Sequence, residues 1–182
     1  LRFGIVKLAK LILMHVLAYG AILALLWSPL DLWSFLLAGL LIWISVIDIQ
    51  RYEIPDVAVV ALLFLGLLLM FQSPVTDRVN LLAGVLIWPA VFWLTATVYR
   101  AWRGYDGLGF GDIKLAAGLG GWLGLSGMTF VVLIASISGI LTLLASMLVR
   151  RSVSGEVEMS GIAFGPFLSL SAWAAWLLMR VQ

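Results

Sequence analysis

The sequence predicts an all-α, polytopic membrane protein of about seven transmembrane helices, six at the least, with a cytoplasmic N-terminus. Three observations predict it. The chain is 64% hydrophobic and only 11% charged, with a mean hydropathy of +1.16. Soluble domains are nearer half apolar and a quarter charged. Apolar runs close to the roughly 20 residues of a spanning helix recur along its length. The cations, finally, fall mostly on one side of those runs.

Taken in order, the runs are 8–27, 32–49, 56–71, 79–99, 112–125, 128–149 and 163–180. The first, second, fourth and sixth are long enough to span outright. The third is bounded by Pro55 and by "QSPVTDR". The fourth carries Pro89 directly after Trp88, a kink that neighbouring helices can accommodate. The fifth is short and glycine-rich, "LAAGLGGWLG", and is expected to be partly unwound or to stop short of a full span. "RRSVSGEVEMSG", the longest polar stretch, reads as a mobile loop before the seventh run. No repeat or low-complexity tract interrupts the series, so residues 1–182 are read as one transmembrane domain.

With the N-terminus inside, seven spans place Arg2, Lys7, Lys10, Arg51, Arg100, Arg103, Lys114, Arg150 and Arg151 on the cytoplasmic side. Only Arg78 and Arg180 remain outside. This positive-inside bias also supports the helix count, because removing one span scrambles it. Trp27 and Trp33 then fall near the outer interface and Trp102 near the inner one.

Composition also narrows the chemistry. There is no cysteine, which removes disulfides, thiolate metal sites and cysteine nucleophiles. The single histidine, His15, builds no metal site and is expected to donate a hydrogen bond between helices. A net charge of +2 spread along the chain gives no nucleic-acid footprint. No metal is expected. The opening Leu1 reads as a trimmed or processed N-terminus.

Topology brings two acids to one membrane depth. Asp48 ends the second run and Asp112 begins the fifth, and both ends face the cytoplasm. Ionisable groups at the rim of the hydrocarbon are costly, which makes each a functional candidate. Two carboxylates in one low-dielectric pocket cannot both ionise comfortably, so they share a proton, as in aspartic proteases. One can then take a proton from water while the other polarises a carbonyl. The dipole at a helix start favours charge on Asp112. Gly107, Gly109 and Gly111 are read as clearance for a substrate backbone, and the small residues from Ala116 to Gly121 as a close-packing surface.

Three motifs in order carry a family resemblance. "GFGDIK" matches a GxGDxK motif, and "IDIQRYEIPD" presents an aspartate followed six positions later by Ile54-Pro55-Asp56. "FGPFLSLSAW" at 164–173 closes the series. Together they resemble the type IV prepilin leader peptidases, which are membrane aspartyl proteases. The resemblance implies that Asp48 and Asp112 are the catalytic pair and that Asp56 is not. Gly109, Gly111 and Lys114 take the motif positions; Pro55, Gly165 and Pro166 take the positions expected to hold the substrate strand. Phe164 precedes that last pair. It further implies a bacterial inner-membrane endopeptidase that removes basic leaders from prepilins or type II secretion pseudopilins. Cleavage then falls on the cytoplasmic face, after a glycine and commonly before a phenylalanine, without a cofactor. Glu53 and Asp106 are expected to steer the basic leader.

The chain departs from the larger members in having no paired CxxC motifs. The resemblance therefore implies a short form, with S-adenosylmethionine-dependent methylation left to any methylase region outside this chain. Residues 1–30 carry none of these motifs. Two readings of the aspartate pair stay open beside this one. A presenilin-like protease of other membrane helices also carries GxGD, although Lys114 and Ile54-Pro55 argue against it. A proton-coupled transporter would use paired intramembrane acids, but more often near the midplane and with paired repeats. An idle assembly subunit is the third possibility, which no residue requires.

Overall fold

The computed structural model describes residues 2–26, 31–153 and 162–181. Trp27 and most of the stretch expected to be a mobile loop lie outside these. Six α-helices follow one another: α1 Arg2–Leu26, α2 Leu32–Arg51, α3 Asp56–Gln72, α4 Val75–Arg103, α5 Phe110–Val153 and α6 Gly165–Val181. Among the described residues there is no strand. Lys7–Leu26, Leu32–Arg51, Asp77–Arg103 and Phe110–Leu148 are long and apolar enough to cross a membrane, and Asp56–Gln72 is a shorter apolar helix. The chain is a polytopic, helical membrane protein.

Six helices and seven predicted runs agree because α5 breaks at Gly124, whose φ of 67° and ψ of −174° are not helical. Glycine adopts this conformation without the Cβ penalty of other residues. The first arm, 110–123, is helical throughout, so the expected unwinding is confined to its end. At 1.5 Å per residue it is only about 20 Å long, against a hydrocarbon core of ~30 Å. The second arm folds back, bringing Ser136, Gly139 and Ile140 to the level of Gly109 and Asp112.

A break at membrane depth leaves backbone groups without partners, and α4 supplies them. Asn80 Oδ1 accepts from the Ser126 backbone N–H at 3.3 Å, and the Trp88 indole donates to the Leu125 carbonyl at 3.1 Å. The same region packs tightly. A Cβ on Gly84 would lie 2.6 Å from the Gly124 carbonyl carbon, so α4 and α5 cross backbone to backbone.

The first arm of α5 is the centre of the molecule, with α3, α4 and α6 packed on the helix. Leu115, Leu119, Trp122 and Leu123 are buried along it. The Trp122 indole donates to the Leu62 carbonyl of α3 at 2.8 Å and meets Trp176 of α6 edge-on at 5.4 Å. Trp33, expected near the outer interface, is half-buried and packs edge-on against Trp122, and Trp102, expected near the inner one, is exposed. Among the described residues His15 bonds within its own helix: Nδ1 donates to the Leu11 carbonyl at 2.8 Å. A carbonyl one turn back lies within imidazole reach, so no second helix is needed.

α2 packs on α6, and α1 on both. The up-and-down path collects the end of α2 and the starts of α3, α5 and α6 at one end of the bundle.

Candidate active site

Each element of this end is shaped by its own terminus. α2 stops where Tyr52 turns left-handed (φ 55°) and caps the Asp48 carbonyl with its N–H at 2.8 Å. A non-glycine residue at positive φ is uncommon, and here it turns the chain sharply into Ile54-Pro55. Pro55 cannot donate and leads directly into α3, with Asp56 in the favourable first turn. α4 ends on Gly104 at φ 80°. After the loop 104–109, Asp112 N–H bonds to the Gly109 carbonyl at 3.1 Å as α5 begins. Pro166 sits at the start of α6, where its missing N–H costs no helical bond.

Asp48 and Asp112 are both buried, at 5% and 8% exposure. They line one cavity of about 460 Å³ together with Glu53, Pro55, Gly109, Gly111 and Lys114. Asp48 Oδ2 accepts the Gly165 backbone N–H at 3.0 Å. That bond joins two segments 117 positions apart, and a Cβ on Gly165 would stand 2.7 Å from the same oxygen. Real Cβ contacts do not come so close, so any larger residue there must displace the Asp48 carboxylate or the start of α6.

The remaining expected residues divide. Lys114 of α5 forms an ion pair with Asp56 of α3, a tie across the cavity wall, and lies 5.3 Å from the Phe110 ring. Glu53 lines the cavity. Asp106 does not line this cavity and is ion-paired with Arg100. Of the three glycines read as clearance, two face the chain itself. A Cβ on Gly107 would meet the Tyr99 ring and one on Gly111 would meet Ile54 at 3.1 Å. Gly109 alone faces the acid, with a Cβ position 3.4 Å from Asp112 Oδ2. The small residues beyond pack as expected: Gly118 against Leu62, Gly120 against Gly84.

Sequence reasoning did not single out Tyr52 or the pair Tyr99–Tyr105, whose hydroxyls lie 3.1 Å apart. The Tyr99–Tyr105 spacing across a glycine was the available signal. Among the described residues no three metal-ligating side chains cluster.

Comparison with known proteins places the site in context. Residues 35–144 match the model of the type IV leader peptidase family, and that span includes Asp48 and Asp112. Several relatives carry the name prepilin leader peptidase/N-methyltransferase. The one from Neisseria gonorrhoeae is 30% identical over 95% of this chain and 56% of its own length. That from Pectobacterium carotovorum is 33% identical over 87% of this chain and 57% of its own. That from Pseudomonas aeruginosa is 31% identical over 97% and 58%. The chain thus spans little more than half the length of the curated relatives it matches. No solved structure matches it.

Proposed function

We propose a function from this premise: the chain belongs to the type IV leader peptidase family. It is a membrane aspartyl endopeptidase that removes the basic leader from prepilins or pseudopilins. One observation carries the reading. Two buried carboxylates from different helices line one cavity where the three motif segments converge.

Charge on Asp48 is stabilised by the Gly165 N–H, and charge on Asp112 by the start of α5. One proton shared between them serves both. The ionised member accepts a proton from an attacking water while the protonated member donates to the scissile carbonyl oxygen. Collapse of the tetrahedral intermediate returns a proton to the leaving amine. The Lys114–Asp56 pair holds α3 against α5, and Pro55 stiffens the intervening turn. Gly109 leaves room beside Asp112 for a peptide backbone, with Gly111, Gly165 and Pro166 shaping the adjoining walls.

The excess of Lys and Arg on the loops at this end supports a cytoplasmic-facing site in a bacterial inner membrane. Glu53 is the stronger candidate for leader steering, because Asp106 is already committed to Arg100. The second activity in the relatives' names, methyl transfer, lies outside this proposal.

The test mixes the purified chain in detergent with a prepilin and follows leader removal. Wild type is expected to cleave, and Asp48→Asn and Asp112→Asn to leave the prepilin intact. Cleavage by either variant at the wild-type rate would refute the paired mechanism.

A further inference from the structure

Asp112 borders a second space. A cleft of about 610 Å³ opens between the second arm of α5 and the loop 104–109. It shares only Gly109 and Asp112 with the cavity that holds Asp48. The two spaces differ in character. Glu53 and Asp56 join the aspartate pair around the first, against Arg51 and Lys114, an excess of acid. Among the described residues no cation lines the second, and its one further carboxylate, Asp106, is paired with Arg100. Its walls are Tyr99, Tyr105, Ile140, Leu143 and Phe164, with Gly139 among them.

We propose that this cleft is the subsite for the apolar residues that follow the scissile bond, while the basic leader lies in the acidic cavity. This rests on the leader-peptidase reading above. A peptide passing from one space to the other crosses Gly109, where no side chain stands between it and Asp112. Charge sets its direction: cations are favoured beside Glu53, and apolar side chains are favoured in the second space beyond Asp112, where no cation or further unpaired acid competes. Gly139 sets the depth. A Cβ there would lie 3.7 Å from the Phe164 ring, in ordinary contact, so any longer side chain must enter the cleft. The subsite therefore admits a residue as large as phenylalanine only while position 139 is small.

Two model prepilins that differ only in the first residue after the cleavage point, phenylalanine or alanine, test this with the purified chain. Wild type is expected to favour phenylalanine by about tenfold in kcat/KM. Gly139→Leu is expected to erase that preference, cutting the phenylalanine substrate about tenfold and the alanine substrate by no more than about twofold. Leu143→Ala, which widens the cleft, is expected to speed cleavage of a third prepilin bearing tryptophan at that position. If Gly139→Leu slows all substrates together, the widening variant decides: no gain with tryptophan overturns the subsite. An unchanged preference in both variants overturns it as well, while leaving the peptidase reading intact. Wild type that leaves every prepilin uncut removes both.

Discussion

The two ends of the bundle each hold a carboxylate at a helix terminus, and they treat it in opposite ways. Asp31 caps α2 and is fully served. It accepts the Ser34 backbone N–H at 2.9 Å and the Ser34 hydroxyl at 2.8 Å, and pairs with Arg180 at 2.7 Å. The Trp176 indole completes the set by donating to Ser34 Oγ at 2.9 Å. At the other end, Asp48 accepts one backbone N–H, and no ion pair forms at Asp48 or Asp112 among the described residues. Of the two cations lining the cavity, Arg51 and Lys114, the second is paired with Asp56. Partnered acid holds helices together; buried acid without a cation is costly and persists where chemistry uses it.

Exchanging charge for amide breaks the comparison most sharply. Asp48→Asn or Asp112→Asn is expected to cut leader removal by about 10²–10⁴-fold. Neither should lower the thermal midpoint in detergent, because a buried charge is removed and the amide oxygen still accepts from Gly165. Asp31→Asn should do the reverse, leaving cleavage unchanged. A loss of stability in the first two variants would make them structural acids like Asp31.

Next in size is Gly165→Ala. Its Cβ would press on Asp48 Oδ2 at 2.7 Å, so the carboxylate or the start of α6 must move. Displacements of about 1 Å at a reacting group cost on the order of 10²-fold. We expect a fall of about 10- to 100-fold in kcat with a smaller effect on KM, read from the same prepilin assay. A variant with wild-type kcat would show that Asp48 tolerates repositioning.

Much of this architecture was legible beforehand because membrane spans announce themselves. Each apolar run had to be a helix, since no other open structure satisfies its backbone in lipid. The alternation of ends then placed Asp48 and Asp112 together. What stayed hidden depends on contacts distant in sequence. Nothing around Asn80 or Trp88 says that they serve the break at Gly124. Asp106 reads as a free loop charge until Gly104 turns the chain and returns it to Arg100. Gly107 and Gly111 read as clearance for a substrate, but their missing side chains accommodate Tyr99 and Ile54. Glycine spacing shows that room is needed without showing for what.

Between the two extremes stands the Lys114–Asp56 pair, a tie at the end that holds Asp48 and Asp112 and that resembles the tie at Asp31. The Asp56 side chain is 75% exposed, so solvent screens most of the attraction. A double-mutant cycle of Lys114→Met and Asp56→Asn is expected to give a coupling of about 0.5 kcal/mol in stability. The same variants are expected to slow cleavage only severalfold. A much larger loss on Lys114→Met alone, absent from Asp56→Asn, would move Lys114 from holding helices to handling substrate.

The smallest effect belongs to Asp31 and depends on pH. Burial pushes its carboxyl pKa up, but the Ser34 N–H, the Ser34 hydroxyl and the Arg180 guanidinium together outweigh burial and hold it below the ordinary value. The folded chain therefore binds this proton less readily than the unfolded one. Its stabilising contribution is complete above the unfolded pKa of about 3.9 and is lost as pH falls through the lower folded value. Asp31→Asn keeps a capping oxygen for the Ser34 N–H and loses only the charge, so it should lower stability at neutral pH by about 0.5 kcal/mol, the usual worth of a partly exposed ion pair. The gap between wild type and variant should narrow below pH ~4, as protonation removes from wild type the charge that the amide variant never carries. Thermal melts in detergent at about pH 7 and about pH 3, above and below the unfolded carboxyl pKa, measure it. An equal gap at both values would mean that shape, not charge, secures this end.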